Sequence, residues 1–370
     1  MTVTKQRLYF IDIARSIAIL LMLEGHFIDD TLVTVARDPT NVYYTFWLFI
    51  RGYTSPIFLT ITGVVFTYLL LGDNEVTFSK NMRVRKGLKR GLELIFWGYL
   101  LEYYSFHVLQ CIGFGILTIL LLYGLYKLTK IIPLWIYFFI AGVLIFSTYA
   151  FFKKYEGTGN FWPKNAPVFV QNMFFGKHTV FPILPKMGFT MFGAMFGTII
   201  YYFEEKVKSW LFIFTTFFIG LLIYGFIKDF LLFFDKAFST TYYHFYSFDW
   251  LYKCLGVVFM LLAFLIATEK LIKIKAGLFL KIGQNTLSIY IIHAVLLYGA
   301  LTGIGIHTFL SRKISGWYIV PSTILFLLIF ILIVKHIEFF RSKITFIVEP
   351  IKRKTNLLFG ITEKPSLPQK

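Results

Sequence analysis

The chain has 370 residues, of which 57% are hydrophobic, 20% aromatic and only 15% charged. That balance excludes an ordinary soluble domain and marks an integral membrane protein. The formal net charge of +18 does not mark a nucleic-acid binder, because the basic residues gather in short segments between apolar runs, as the positive-inside rule expects of cytoplasmic loops.

A membrane-spanning helix needs about 20 mainly apolar residues. Ten stretches qualify, near residues 10–30, 46–71, 88–106, 108–126, 131–151, 187–203, 210–232, 251–268, 286–306 and 317–337, and the expected fold is an all-α, polytopic membrane protein of about ten transmembrane helices. The first stretch contains Arg15 and His26 with ten residues between them. On a helix, eleven steps return to within roughly 20° of the starting direction while rising roughly 16 Å. The two side chains therefore share a face, half a bilayer apart. Ionisable groups are costly in hydrocarbon, so the pair is expected to line a polar cavity. Asp30 lies four residues beyond His26, on nearly the same face, where a carboxylate would hold one ring nitrogen. Glu24 points about 160° away from His26 and is the poorer partner.

Alternate connections carry the positive charge: Lys80, Arg83, Arg85, Lys86, Lys89 and Arg90; Lys127 and Lys130; Lys206 and Lys208; Lys270, Lys273, Lys275 and Lys281. With the basic tail from Lys335 onward, which includes Arg341, Lys343, Lys352, Arg353 and Lys354, this bias places both termini in the cytoplasm of a plasma (inner) membrane protein. The longest outer connection, 152–186, contains Gly157-Thr158-Gly159-Asn160, Trp162-Pro163, Pro167, Pro182 and Pro185 and reads as an irregular loop over the outer mouth. A second, 234–250, is rich in Tyr, Phe and Ser. Residues 1–340 form a single integral domain, and 341–370 a basic cytoplasmic tail. Met1 to Leu8 reads as retained rather than as a cleaved signal. Cys111 and Cys254 show no metal-ligand spacing and read as packing residues. Gly193 and Gly197 read as a close helix contact.

Arg7-Leu8, the run Ile11-Asp12-Ile13-Ala14-Arg15-Ser16-Ile17-Ala18-Ile19-Leu20-Leu21-Met22, and then His26-Phe27 and Asp30 resemble the opening of the bacterial homologues of heparan-α-glucosaminide N-acetyltransferase. Five further blocks agree in order. Arg51-Gly52-Tyr53-Thr54-Ser55-Pro56-Ile57-Phe58-Leu59-Thr60-Ile61-Thr62-Gly63 is similar to the family's second-span motif, and Lys89-Arg90-Gly91-Leu92 to its basic approach to the third. Val108-Leu109-Gln110-Cys111-Ile112-Gly113 follows. So do Phe181-Pro182-Ile183-Leu184-Pro185 with Gly188 and Gly193, and Ile282-Gly283-Gln284-Asn285-Thr286-Leu287-Ser288-Ile289-Tyr290-Ile291-Ile292-His293. The Arg–His spacing also resembles that of the related membrane acyltransferases that O-acetylate surface polysaccharides. Two departures bear on substrate identity: Ser16 stands where the family usually has glycine, and Lys186 where tryptophan commonly follows the proline.

The resemblance implies transfer of an acyl group, usually acetyl from acetyl-CoA, to an amine or hydroxyl of a sugar or glycan. Histidine is the side chain whose ordinary pKa lies nearest neutrality, so His26, with Asp30, is the candidate catalytic group. It would act as a general base or as a transient covalent nucleophile. Arg15, Lys89 and Arg90 are candidates for coenzyme A phosphates, since guanidinium groups match phosphate oxygens in bidentate fashion. Snorkelling at the membrane edge, or contact with anionic membrane lipids, is the other reading of each. Arg51 would contact an anionic glycan or lipid headgroups. Asn285, at the inner end of the ninth span, and His293 would contact the acceptor or serve packing. No partner is evident for His107, His178, His244, His307 or His336. Neither a metal nor a nucleic acid is expected, and a homodimer is allowed. A transporter or flippase of a lipid-linked glycan is the competing class, against which stands the lack of an inverted repeat. A purely structural partner would leave Arg15, Glu24, His26 and Asp30 in the membrane without purpose.

Overall fold

The computed structural model describes residues 8–73, 76–102, 105–155, 163, 166–175, 179, 181–238, 244–273 and 277–361. Arg7, Gly157 to Asn160, Trp162, His178, Lys275 and 362–370 lie outside the described residues. The helices in chain order are α1 (Tyr9–Thr31), α2 (Val42–Gly52), α3 (Thr54–Leu71), α4 (Met82–Leu101), α5 (Val108–Thr129), α6 (Leu134–Phe152), α7 (Val168–Met173), α8 (Ile183–Tyr202), α9 (Trp210–Phe238), α10 (Asp249–Leu271), α11 (Leu278–Gln284), α12 (Thr286–Tyr298), α13 (Ile306–Leu310), α14 (Ile319–Lys335) and α15 (Ile337–Leu358). Among the described residues no strand forms, and extended pairing is limited to the isolated bridges Leu32 with Ile314 and Phe106 with Thr179.

Among the described residues, seven helical segments are long and apolar enough to cross a membrane: Val42–Leu71, Val108–Thr129, Leu134–Phe152, Ile183–Tyr202, Trp210–Phe238, Phe245–Leu271 and Gly316–Lys335. The pair α11 and α12, bent by 81°, would make an eighth. The remaining two of the ten expected spans coincide with α1 and α4. Both are long enough, at 23 and 20 residues, but α1 carries Asp12, Arg15, Glu24, Asp29 and Asp30, and α4 carries Arg83, Arg85, Lys86, Lys89, Arg90 and Glu93. Their charge, not their length, keeps the apolar count below ten.

Three local expectations change. The span expected at 286–306 stops at Tyr298, where Gly299 adopts φ +72°, a left-handed backbone that glycine reaches without a Cβ clash. The outer connection 152–186 includes the short helix α7. The tail expected from 341 is, as far as it is described, largely helix: α15 begins at Ile337 and folds back so that Asn356 is buried.

Close approach of backbones organises the centre. A Cβ at Gly63 of α3 would land on the Thr190 carbonyl of α8, and a Cβ at Gly193 on the Thr60 carbonyl of α3. Such small-residue contacts let helices pack tightly where lipid supplies no hydrophobic drive. Helix α1 is held at its N-terminal end by buried Glu269 of α10, which accepts from the Phe10 N–H at 2.6 Å and pairs with Lys208 at 2.8 Å. Ser16 accepts the Gly283 N–H at 2.9 Å, with its hydroxyl 2.6 Å from the Phe279 carbonyl. Ser16 thereby fastens α11 to α1, and with it the start of α12.

Candidate active site

Two cavities flank the middle of α1. One, beside the C-terminal half of α1 and named the outer after the expected topology, is about 340 Å³ and is lined among others by His26, Arg51, His107 and Lys186. The inner, of about 260 Å³, is lined by Arg15, Arg90 and Thr286 together with aliphatic side chains of α3, α4 and α5. Phe58 of α3 and Tyr290 of α12 line both. Arg15 and His26 thus line two different chambers rather than the single polar cavity expected from their shared helix face.

The His26 ring is set by α12. Its Nδ1 lies 2.8 Å from the Tyr298 hydroxyl, and its ring centroid 5.3 Å from that of His293. Tyr298 does not line the outer cavity, so Nδ1 is engaged on the protein side and Nε2 is the nitrogen left for a ligand. His293 is buried, with Nδ1 2.5 Å from the Tyr290 carbonyl. A carbonyl only accepts, so His293 carries its proton on Nδ1.

Asp30 does not hold His26. Its Oδ1 lies 2.5 Å from Nδ1 of His307, which joins the last turn of α1 to α13. The i to i+4 spacing puts Asp30 on the expected face, but a segment 277 residues away in sequence provides the nearer partner. Glu24 accepts from the Trp47 indole N–H at 2.5 Å. Arg51 pairs with Asp29 and lies over the Trp47 ring at 5.7 Å, while its side chain passes beside Gly25, 3.3 Å from where a Cβ would sit. The absence of a side chain there lets Arg51 reach the His26 cavity.

On the inner side, the Arg15 guanidinium donates to the Thr286 hydroxyl at 3.2 Å. Arg90 faces the same cavity but Lys89 does not: its Nζ bonds Asn356 of α15 at 2.7 Å and lies 3.5 Å from Glu93. Adjacent helical residues point about 100° apart, so only one of the two can face the chamber. Asn285 precedes α12 without a side-chain capping bond; its Nδ2 donates to the Lys281 carbonyl at 2.7 Å, and it lines neither cavity.

Sequence reasoning gave no role to four residues of the site, Tyr298, Tyr290, Thr286 and His107, and singled out Lys186 only as a departure. Tyr298, Tyr290 and Thr286 carry no signal of their own beyond proximity to the late motif. His107 lies in the outer cavity with Nε2 2.5 Å from Glu102, a partner across a helix break where no helical spacing applies. Lys186 lines the same cavity, 5.0 Å above the Trp250 ring and 5.5 Å from that of Phe181. His244 also has a partner, Asp235, at 3.7 Å. Ser16, by contrast, is buried at the contact of α1 with α11 and lines neither cavity, so its departure from glycine bears on packing. Cys111 and Cys254 are free thiols, and among the described residues no group of three or more His, Cys, Asp or Glu could hold a metal ion.

Residues 7–228 match the family model described as heparan-alpha-glucosaminide N-acetyltransferase, catalytic. The matched region includes Arg15, His26, Arg51, Arg90, His107 and Lys186, and ends before α12. No curated protein matches the chain.

Proposed function

The chain belongs to the heparan-alpha-glucosaminide N-acetyltransferase family, and from that premise we propose that it moves an acetyl group from acetyl-CoA, held on the inner side, to an amine or hydroxyl of a sugar held on the outer side. The observation that supports this reading most is that the two chambers share the lining residues Phe58 and Tyr290. One chamber offers two guanidinium groups and the other a histidine with a free Nε2. In this reading the coenzyme A phosphates rest at Arg15 and Arg90, and the pantetheine arm extends to the level of Phe58 and Tyr290, where the thioester meets the acceptor held beside His26.

Transfer then needs one proton movement at the histidine. Nε2 takes the proton from the acceptor, the acceptor N or O bonds to the acyl carbon, and the C–S bond breaks. The departing thiolate takes up the proton. Tyr298 and His293 hold the imidazole in place, a preorganisation worth more in a site shielded from water. Lys186 and Arg51, the latter paired with Asp29, line the acceptor side of the site. Counting α1, α4 and the bent pair α11 and α12 with the seven apolar segments gives ten spans. The basic connections then fall on one side, and both termini are cytoplasmic in the plasma membrane.

Incubating purified protein with radiolabelled acetyl-CoA tests the proposal. Binding followed by slow hydrolysis, or by label transfer to an amino sugar, is expected. A protein that ignores acetyl-CoA yet moves a lipid-linked glycan between leaflets would be a transporter instead.

A further inference from the structure

Phe58 lines both chambers and packs against both hydrophobic clusters of the protein. Tyr290, opposite, is braced: its ring lies 4.8 Å from that of His293 at 73°, and the His293 Nδ1 is bonded to its carbonyl. Phe58 is only partly buried, and its ring has no polar atom by which to be tied. Of the two residues shared by the chambers, it is therefore the one held by packing alone.

This placement has a chemical consequence that rests on the reading of the inner chamber as the donor site. For the acceptor to attack while His26 takes its proton, the thioester carbon must lie at the junction, with the sulfur toward Arg15 and the acyl chain beside Phe58. The acyl chain and the acceptor then share the outer chamber of about 340 Å³. We propose that Phe58 is the specificity residue for the acyl group, its ring limiting the donor to short chains. A contact of this kind discriminates one methylene by roughly 10–200-fold. The phosphates, held by Arg15 and Arg90 at the far end of the inner chamber, contribute equally whatever the acyl group.

Titrating the purified full-length protein with coenzyme A, acetyl-CoA and butyryl-CoA, for the wild type and for Phe58→Ala, Phe58→Leu and Phe58→Trp, tests the assignment. The affinity for butyryl-CoA relative to acetyl-CoA should rise about tenfold or more in Phe58→Ala, rise less in Phe58→Leu, and fall in Phe58→Trp. A ratio that stays flat across the series overturns the proposal. So does an equal loss of affinity for all three ligands in every variant, because that is the signature of a structural role. A wild type that binds neither coenzyme A nor its thioesters would remove the donor site, and this inference with it. A wild type that binds them with a flat ratio across the variants removes only the assignment of Phe58.

Discussion

The Nδ1 of His26 lies 2.8 Å from the hydroxyl of Tyr298, 272 residues further along the chain. This bond joins the outer half of α1 to the end of α12, just before Gly299 turns the chain out of the helix. It fixes which imidazole nitrogen faces the outer cavity. The relationship depends on the inner end as well: Ser16 and Gly283 fasten α11 to α1, and the 81° bend between α11 and α12 aims Tyr290, His293 and Tyr298 at the His26 level.

Removing the base and removing its holder should differ in size. His26→Ala is expected to lower the turnover of acetyl transfer by about 10²–10⁴ while the protein still binds coenzyme A. Tyr298→Phe keeps the ring and deletes one hydrogen bond, and should lower turnover by roughly tenfold. Steady-state rates beside calorimetric coenzyme A binding check both. Near-wild-type turnover in His26→Ala would dismiss the mechanism.

Buried Asp30 bonds the exposed His307 and fastens α13 to α1, so loss of this bond should be felt in stability. Leaving a buried acceptor such as Asp30 without its partner costs about 1 kcal/mol or more. His307→Ala should lower the thermal unfolding midpoint in detergent and reduce turnover less than Tyr298→Phe does. If it instead cost more turnover than Tyr298→Phe, Asp30 would return to the catalytic group.

The legible parts of the site are those set by local helical geometry. Arg15 and His26 share a face of one unbroken helix, and the structure gives each of them a chamber on that face. Arg90 is identified by its basic surroundings, yet the same surroundings name Lys89 equally, and only the docking of α15 on α4 separates them. Asp30 shows the limit of spacing arguments: i to i+4 gives a face but not the competing partner, and His307 arrives from a segment that no local pattern connects to α1. His107 is obscured in the same way, because Glu102 precedes it across the break between α4 and α5. Ser16 looks like a change near the chemistry and proves to be a tie between helices.

Topology offers an independent check. If α1, α4 and the bent pair α11 and α12 all span the membrane, the connection at Lys130 is cytoplasmic and the one at Arg312 is outside. Alkaline phosphatase fused after Arg312 should be active, and the same fusion after Lys130 inactive. The reverse at either position would invert the placement of donor and acceptor chambers.

The donor side separates three cations that the sequence treats alike. Arg15 and Arg90 face the inner chamber, whereas Lys89 is turned to Asn356 and Glu93. A hydrogen bond to a charged group contributes about 1.5–3 kcal/mol, a factor of roughly 10–150 in Kd. Arg15→Gln and Arg90→Gln should each weaken coenzyme A binding by about that factor. Lys89→Gln should leave the Kd within a few fold, and should loosen α15 so that amides around Asn356 exchange faster with deuterated water. Calorimetry on the three variants decides the matter. Equal weakening by all three would mean a diffuse basic surface, while unchanged binding in Arg15→Gln and Arg90→Gln would leave these arginines as topology markers and move the donor site elsewhere.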